Sequence, residues 1–302
     1  MNMSNVLYTN ELTFRNFQHL EVIVVPQQKA AWLYFNPQPN ACFSITLLRE
    51  LDRFQTILKQ QDGKLVHDGK YVDIEFNVIA SRQPVFSFGG DLAYFLQCIR
   101  NQDRAALESY ARLCIDAVYY NHIGRELDIT TISMVQGDAL GGGFEAALSS
   151  HVLVAEEGVE FGLPEVLFNL FPGMGAYNLL LQRLTPVMAG KIILGGRRYP
   201  ADEMHAMGIV DILTSKGNGH AAVNEFIHAN RNRNSTLRSL NRVRQIVNPV
   251  DYRQLTEIGN LWVDAALELR DRDLRIMSRL VNSQNRFSGN RIEFPDQIVS
   301  SL

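Results

Sequence analysis

The sequence predicts an α/β protein, because short apolar strands alternate with amphipathic helices as far as about residue 215. The first two strands, Leu20–Val25 and Ala30–Phe35, are separated by the turn-forming segment Pro26–Lys29. Residues 44–60 then carry apolar side chains at intervals of three and four, which is the spacing of one helix face. The alternation continues with strands predicted over 72–80, 130–136 and 152–155 and with helices predicted over 92–100 and 103–123. This order indicates an α/β unit with a layered or coiled sheet.

A helical region is predicted after this unit. Helices dominate from Met174 onward, apart from the short apolar stretch Ile209–Leu213. One helix face, with a spacing typical of packing, is marked by Leu255, Ile258, Leu261, Trp262, Ala265 and Leu269. We therefore expect helices over 216–287 that lie against the core or a neighbouring subunit, an N-terminal extension over 1–20 and a flexible tail over 288–302.

The composition is that of an ordinary soluble globular protein. The chain has 302 residues, of which 46% are hydrophobic and 20% charged, and its net charge is −3. This charge offers no general attraction to nucleic acid or to an anionic membrane. No apolar run approaches the roughly 20 residues of a membrane helix, and the first residues lack the pattern of a signal peptide, so we expect a cytoplasmic protein. The cysteines and histidines show no ligand spacing, which predicts that no metal and no other cofactor is bound.

The clearest sign of chemistry is the segment Val135–Glu145, in which an apolar strand runs into three consecutive glycines. Glycines let backbone N–H groups approach a ligand closely, and a helix N-terminus favours developing negative charge. Such a turn is how an oxyanion hole is built. Glu145 lies in the first turn of the helix, and Glu165 follows twenty residues later. Two carboxyl groups beside an oxyanion hole could act as acid and base on a thioester or a similar carbonyl compound.

A second glycine turn lies in Val85–Leu92, again between a predicted strand and a predicted helix. Alone, its Gly89-Gly90 pair is more typical of a structural tight turn. The triple glycine about fifty residues later changes this interpretation. Together, the two turns could aim two backbone N–H groups at one carbonyl oxygen.

In this order and spacing, the two glycine segments and the later Phe161–Glu165 segment resemble the crotonase superfamily, which contains the enoyl-CoA hydratases and isomerases. The resemblance covers about residues 20–215. It implies the crotonase (ClpP-like) spiral fold of repeated ββα units, with the core over 21–215 and a trimerisation or capping region in the helices over 216–287.

The resemblance also assigns the groups of the oxyanion hole. It implies that one backbone N–H donor comes from Ser87 and the other from Gly142. Gly89 and Gly141 would shape the two turns that carry these donors. The site would then stabilise a negative charge on the oxygen of a bound thioester.

Glu145 and Glu165 fall on the two catalytic acids of a hydratase, so the resemblance implies that water is added or removed across the C2–C3 bond. Removing a C2 proton from a thioester makes an enolate-like oxyanion, which two N–H donors stabilise by several kcal/mol. For dehydration we expect Glu165 to be the C2 base and Glu145 the acid that helps the 3-hydroxyl leave, although the roles could be swapped or shared. Without the motif context, Glu145 would be interpreted as a helix stabiliser and Glu165 as a surface acid.

Departures from ordinary crotonases resemble one branch, the diffusible-signal-factor synthases. Phe88 stands where many crotonases have a small residue, and residues 35–42 differ from the usual coenzyme-A-contacting pattern. This resemblance implies an acyl-carrier-protein thioester as substrate, dehydration of its 3-hydroxyacyl chain, and thioester hydrolysis to a free cis-2-unsaturated fatty acid used in quorum sensing. It also implies a homotrimer and regulation by a sensor or a receptor linked to cyclic di-GMP.

Residues around the motifs indicate how such a substrate would bind. Arg82, Arg197 and Arg198 could meet the acidic surface of a carrier protein, although each is also typical of an ordinary surface charge. The candidates for an apolar acyl pocket, each of which could equally be a core residue, are Leu140, Phe168, Leu170, Met174 and Trp262. Two other functions stay open: an enoyl-CoA hydratase of fatty-acid degradation, and a non-enzymatic protein that binds a signalling receptor.

Overall fold

The computed structural model describes residues 13–286. The predicted tail over 288–302 and most of the predicted extension over 1–20 lie outside the described residues. The strands are β1 (Leu20–Val25), β2 (Ala30–Phe35), β3 (Lys64–His67), β4 (Lys70–Asp73), β5 (Phe76–Ser81), β6 (Thr130–Val135), β7 (Ala139–Leu140), β8 (Val152–Glu156), β9 (Glu160–Gly162), β10 (Arg198–Pro200) and β11 (Ile212–Thr214).

Helices cover the sheets and make up most of the C-terminal part of the described chain. They are α1 (Ile45–Gln60), α2 (Leu92–Arg100), α3 (Arg104–His122), α4 (Gly142–Leu148), α5 (Ala176–Leu180), α6 (Pro186–Gly195), α7 (Ala201–Ala206), α8 (Gly219–Asn230), α9 (Asn234–Val247), α10 (Tyr252–Leu267) and α11 (Asp271–Arg286). Short 3₁₀ helices lie at Pro26–Gln28, Gly124–Glu126, Pro164–Phe168 and Arg231–Arg233. The predictions of an α/β fold and of a helical C-terminal region are confirmed.

The main sheet has six strands in the order β1-β2-β5-β6-β8-β11. β1 and β2 form an antiparallel hairpin, and the other neighbouring strands are parallel. Every residue of β2, β5, β6 and β8 is buried, because helices or other segments cover both faces of a parallel sheet. A smaller sheet has the order β10-β9-β7, and β3 pairs with β4 in a separate hairpin.

One predicted strand is wrong in its extent. The strand predicted over 72–80 is divided between β4, which ends at Asp73, and β5, which begins at Phe76. Between them the N–H of Ile74 donates to the Gly63 carbonyl, and the N–H of Glu75 donates to the Lys29 carbonyl. The chain therefore changes its bonding partners here as it passes from the small hairpin to the main sheet. A continuous alternation of apolar and polar residues does not reveal such a change.

The parallel pairing of β5 with β6 places the two glycine turns side by side, since the carboxyl ends of parallel strands meet at one edge of a sheet. Hydrogen bonds then join the segments that follow these strands. The N–H groups of Phe86 and Ser87 donate to the Asp138 carbonyl, and the N–H of Leu140 donates to the Ser87 carbonyl. The two turns are thus held in fixed relation by backbone bonds.

Within residues 13–286, no helix is long and apolar enough to cross a membrane.

Gly137 provides a test of the contact between the two turns. A Cβ at this position would lie 2.3 Å from the Pro84 carbonyl oxygen and 2.8 Å from the Val85 Cα. Backbone atoms cannot move aside cheaply, so Gly137→Ala should lower the free energy of unfolding by about 2 kcal/mol in urea denaturation.

The matched control is Gly190→Ala, because Gly190 lies inside α6 and a Cβ there would meet nothing within 4 Å. This control should raise the free energy of unfolding by about 0.5 kcal/mol, through the smaller conformational entropy of the unfolded chain. Equal stabilities for the two variants would contradict the described packing of the turns.

Candidate active site

A cavity of about 170 Å³ lies between the glycine turns, α3, α4 and α10. Both predicted acids, Glu145 and Glu165, line it together with Gly141 and Gly142. All of the predicted pocket residues also line it, namely Leu140, Phe168, Leu170, Met174 and Trp262. The structure therefore brings the candidate acids, the triple-glycine turn and the candidate acyl pocket into one space.

Glu145 is held in this cavity by backbone donors. It lies in the first turn of α4, and its Oε1 accepts hydrogen bonds from the N–H groups of Met174 at 2.9 Å and Ala176 at 3.0 Å. Burial raises the pKa of Glu145 to about 7, and the two N–H bonds oppose this rise because they favour the ionised form. Glu145 is therefore positioned as a buried carboxyl group that can change its charge near neutral pH.

Glu165 is less well satisfied. It lies in the 3₁₀ helix Pro164–Phe168, and the residue keeps partial exposure while its Oε2 atom is buried without a hydrogen-bond partner among the described residues. Burial and, secondarily, the charge of Glu145 raise the pKa of Glu165 to about 8. An unpaired buried oxygen beside a cavity is well placed to meet a group of the substrate.

The two carboxyl groups share protons unequally. Like charges that face one cavity resist double ionisation, so near neutral pH the pair favours one negative charge. That charge resides preferentially on Glu145, because two backbone N–H groups stabilise it, while the proton stays on Glu165. The roles predicted for dehydration need the opposite distribution, because Glu165 as base would have to be ionised and Glu145 as acid would have to carry the proton. The resting distribution fits hydration instead, in which Glu145 takes a proton from water and Glu165 gives its proton to C2.

One of the two backbone donors predicted for an oxyanion hole is engaged within the chain. The N–H of Ser87 donates to the Asp138 carbonyl at 3.2 Å, so it is not available to a substrate. Among the described residues, the N–H groups of Gly90 and Gly142 have no hydrogen-bond acceptor. A Cβ built on Gly142 would lie 3.5 Å from the Gly90 nitrogen, which shows how close the two turns are. The prediction of Ser87 as donor is wrong, and the N–H of Gly90, close to Gly142, is the candidate in its place.

The absence of side chains at Gly89 and Gly141 is what permits this arrangement. Gly89 has a φ of +87°, and a Cβ there would lie 2.7 Å from the Gly142 nitrogen. Gly141 has a φ of +53°, and its Cβ would lie 2.6 Å from Oε1 of Glu165. A side chain at either position would therefore strain the backbone and displace a group of the site.

The three arginines proposed to meet a carrier protein are all engaged in ion pairs. Arg82 contacts Glu21 at 2.8 Å, and Arg197 pairs with Glu203. Arg198 contacts Glu160 at 2.9 Å and Asp138 at 3.3 Å. Of the three, Arg198 lines the cavity. Their charges are thus largely neutralised by acids of this chain, which weakens the predicted attraction to an acidic surface.

Three polar residues of the cavity were missed by the sequence interpretation. Asn121, Arg125 and Ser149 line it and are buried. They belong to no glycine motif, and their side chains come together only when α3 packs beside α4. No signal in the sequence identified them. In the part of the chain that the structure describes, no group of His, Cys, Asp and Glu side chains could hold a metal ion.

Comparison with protein families gives one extended match. Residues 71–246, more than half of the chain, match the family model described as enoyl-CoA hydratase/isomerase. Among curated proteins, carnitinyl-CoA dehydratase from Salmonella typhi is 36% identical over 91 residues, which are 30% of this chain and 35% of that protein. The chain thus spans about a third of the length of the curated relatives it matches.

Solved structures with the same fold cover most of the chain. Enoyl-CoA hydratase from Bacillus halodurans superposes with a TM-score of 0.73 at 15% identity, over 87% of this chain and 100% of the other. Pseudomonas aeruginosa DspI superposes with a TM-score of 0.65 at 22% identity, over 88% and 95% of the two chains. At these identities the similarity shows a shared fold.

The raised pKa of Glu165 makes a prediction about stability. Between about pH 5 and pH 8 the unfolded chain has already released the proton that folded Glu165 keeps, so the stability of the protein falls as the pH rises. Glu165→Gln removes this loss. Its free energy of unfolding should exceed that of the wild type by at least about 1 kcal/mol at pH 8, and the difference should shrink toward pH 5.

Urea denaturation at the two pH values measures the effect. Glu257→Gln is the matched control, because Glu257 is exposed on α10 and does not line the cavity. This control should follow the wild type at both pH values. A stability difference for Glu165→Gln that does not change with pH would disprove the raised pKa of Glu165.

Proposed function

Because this chain belongs to the enoyl-CoA hydratase/isomerase family and has the crotonase fold, we propose that it adds or removes water across the C2–C3 bond of an acyl thioester. The observation that carries this proposal is the convergence of Glu145, Glu165 and the N–H groups of Gly90 and Gly142 on one apolar cavity. This set provides an acid, a base and a place for a developing oxyanion, which are the groups that the reaction needs.

The proposed dehydration follows from these positions. With the thioester oxygen between the N–H groups of Gly90 and Gly142, an ionised carboxylate removes the C2 proton and the electron pair moves onto that oxygen. The pair then forms the C2–C3 double bond while the C3–O bond breaks, and the second carboxyl group gives its proton to the departing hydroxide, which leaves as water. Hydration is the reverse. Either direction needs one proton on the pair Glu145 and Glu165.

More specifically, we propose that the chain is a synthase of a cis-2-unsaturated fatty-acid signal, as its resemblance to the diffusible-signal-factor synthases implies. Two differences from ordinary crotonases, Phe88 and the segment 35–42, support this proposal because they contact each other in the structure. Phe88 lines the cavity, and its N–H donates to the Ala41 carbonyl at 2.7 Å. Phe35, at the start of the other departing segment, also lines the cavity. These differences from ordinary crotonases thus lie at the cavity that we propose as the acyl site.

Release of the free acid would use the same groups a second time. Water attacks the thioester carbon while an ionised carboxylate takes its proton, and the tetrahedral oxyanion meets the N–H groups of Gly90 and Gly142. When the carbonyl re-forms, the C–S bond breaks and the leaving thiolate takes a proton from a carboxyl group. The substrate proposed for both steps is a 3-hydroxyacyl thioester of acyl-carrier protein.

We further propose that the chain assembles as a homotrimer through its C-terminal helices and that a sensor or cyclic-di-GMP-linked receptor regulates it. Exposed apolar side chains on α9 support a role of this region in association. They are Leu240, Val243, Ile246 and Val247. The mass of the particle in solution would test the trimer.

An enoyl-CoA hydratase of fatty-acid degradation is the second candidate. The observation in its favour is the resting proton distribution, with the charge on Glu145 and the proton on Glu165, which suits hydration when Glu165 faces C2. The two candidates differ in the carrier, in the preferred direction and in thioester hydrolysis.

Incubation of the purified protein with 3-hydroxydodecanoyl carrier protein separates the candidates. The expected result is a free cis-2-unsaturated acid, detected by mass spectrometry, with little hydration of crotonyl-CoA. Rapid hydration of crotonyl-CoA without any free acid would instead establish the hydratase. If neither reaction occurs while the protein binds a signalling receptor, the enzymatic proposal fails.

The two glutamates should each be needed for turnover. We expect Glu145→Gln and Glu165→Gln to lower kcat/KM by about 10²–10⁴, because each removes one proton-transfer group. In the wild type, kcat/KM should rise as the first group ionises near pH 7 and fall as the second ionises near pH 8, since one proton must remain on the pair.

The exposed-residue variant Glu257→Gln should keep the wild-type rate and the wild-type pH profile. Circular dichroism would show whether all variants are folded. A folded Glu145→Gln or Glu165→Gln variant with wild-type activity would contradict the proposed site.

A further inference from the structure

The cavity extends well beyond the proposed reaction centre, along the length of α4. Gly142, Glu145 and Ser149 are spaced by three and four residues, so they lie on one helix face, and all three line the cavity. The rise of 1.5 Å per residue places Ser149 about 10 Å along the helix from the Gly142 N–H. Apolar walls accompany this path, formed by Leu48, Leu51, Ile79 and Val118. The length of this path and its apolar lining suit an extended acyl chain.

The far end of this path is polar. Asn121 donates through Nδ2 to Oγ of Ser149 at 2.9 Å, and Arg125 donates through Nη2 to Oδ1 of Asn121 at 3.1 Å. These three residues all line the cavity, and each is at most 2% exposed. We call Asn121, Arg125 and Ser149 the polar end wall.

Arg125 is the unusual member of this wall, since its charge has no acidic partner. Its other acceptors are Oδ1 of Asn77 at 2.9 Å and Oε1 of Gln55 at 3.4 Å, so every acceptor found for it is a neutral amide. Among the described residues, no carboxylate lies within ion-pair distance of Arg125. Burial lowers its pKa to about 9, so the guanidinium is still charged at neutral pH.

Two further features show that Arg125 is fixed in place. Its φ of +63° is a backbone conformation that costs a non-glycine residue about 1 kcal/mol or more. Its own carbonyl accepts a hydrogen bond from Nε2 of Gln55 at 3.1 Å. A side chain anchored at three nitrogens and at the backbone does not move aside for a ligand.

We propose that the polar end wall determines which acyl chains the site accepts, by limiting methyl-terminated chains to those that end short of the Arg125 guanidinium. A methyl group in contact with a buried guanidinium cannot accept a hydrogen bond from the guanidinium N–H groups. It therefore adds to the desolvation free energy of the buried charge. A guanidinium has five N–H donors, of which three have acceptors among the described residues. An oxygen at the chain end could accept from the others.

This inference rests on the proposed function, because it takes the cavity to be the acyl site. Measurements of ligand binding can nevertheless test it without enzymatic turnover. The probes are amide analogues in which NH replaces the thioester sulfur, so that they are not substrates for hydrolysis, and they lack the 3-hydroxyl. One series ends in methyl and a second, of equal lengths, ends in hydroxyl. Isothermal titration calorimetry gives the Kd of each probe for the full chain.

In the wild type, affinity in the methyl series should rise with chain length and then fall by about tenfold or more beyond one limiting length. Hydroxyl-terminated probes just past this limit should keep their affinity, because their oxygen accepts from the guanidinium. Equal loss in both series would mean that the wall is merely steric and would overturn the proposal. Steadily rising affinity with no limit would also overturn it.

Arg125→Met is the matching variant, since it keeps an unbranched side chain and removes the charge. It should move the methyl limit to longer chains and abolish the advantage of the hydroxyl terminus. Arg253→Met, on the exposed surface of α10, should leave both series unchanged. If Arg125→Met does not fold, the two wild-type series decide the question alone. If the probes bind as described but the protein turns over neither 3-hydroxydodecanoyl carrier protein nor crotonyl-CoA, the proposed function is refuted and the end wall stands.

Discussion

The active site depends on the close approach of two backbone turns, Gly89-Gly90 and Gly141-Gly142. Their separation leaves no room for a side chain, as the 2.7 Å between a Cβ on Gly89 and the Gly142 nitrogen shows. Parallel pairing of β5 with β6 brings the turns to one sheet edge, and bonds from the following segments to Asp138 and Ser87 hold them there. Two N–H groups on separate loops can then point to one oxygen without reorganising during the reaction, which is the condition for effective oxyanion stabilisation.

The same cavity places two carboxyl groups where burial opposes their ionisation. Glu145 is compensated by two backbone N–H groups, whereas Oε2 of Glu165 has no partner among the described residues. Because hydrogen bonds stabilise the two carboxylates unequally, the pKa values of two chemically identical side chains differ. The raised pKa values also lower the free energy of unfolding at the pH at which the pair carries one charge. The buried parallel sheet must compensate for this loss of stability.

Local patterns in the sequence predicted most of the fold and the residue types of the site. Periodicity located β1, β2, α1, β6 and β8, and the glycine motifs located the turns and both glutamates. Long-range bonds accounted for the errors. The N–H of Ser87 is engaged by the Asp138 carbonyl, some fifty residues away, which the motif around Ser87 does not reveal. In the same way, Arg82 is paired with Glu21, sixty-one residues earlier in the chain, through contacts that a motif cannot contain.

Arg125 shows a further limit of sequence interpretation and connects the two ends of the cavity. Nothing in its sequence neighbourhood marks it as part of an acyl site, since its acceptors come from α1, β5 and α3. A chain that stops at a fixed wall holds its thioester carbon at a fixed distance from the N–H groups of Gly90 and Gly142. Dehydration followed by hydrolysis needs this fixed position of the thioester carbon in both steps. The enoyl thioester formed in the first step must keep its carbonyl carbon in place for attack by water. The end wall would thus serve the chemistry as well as the choice of chain.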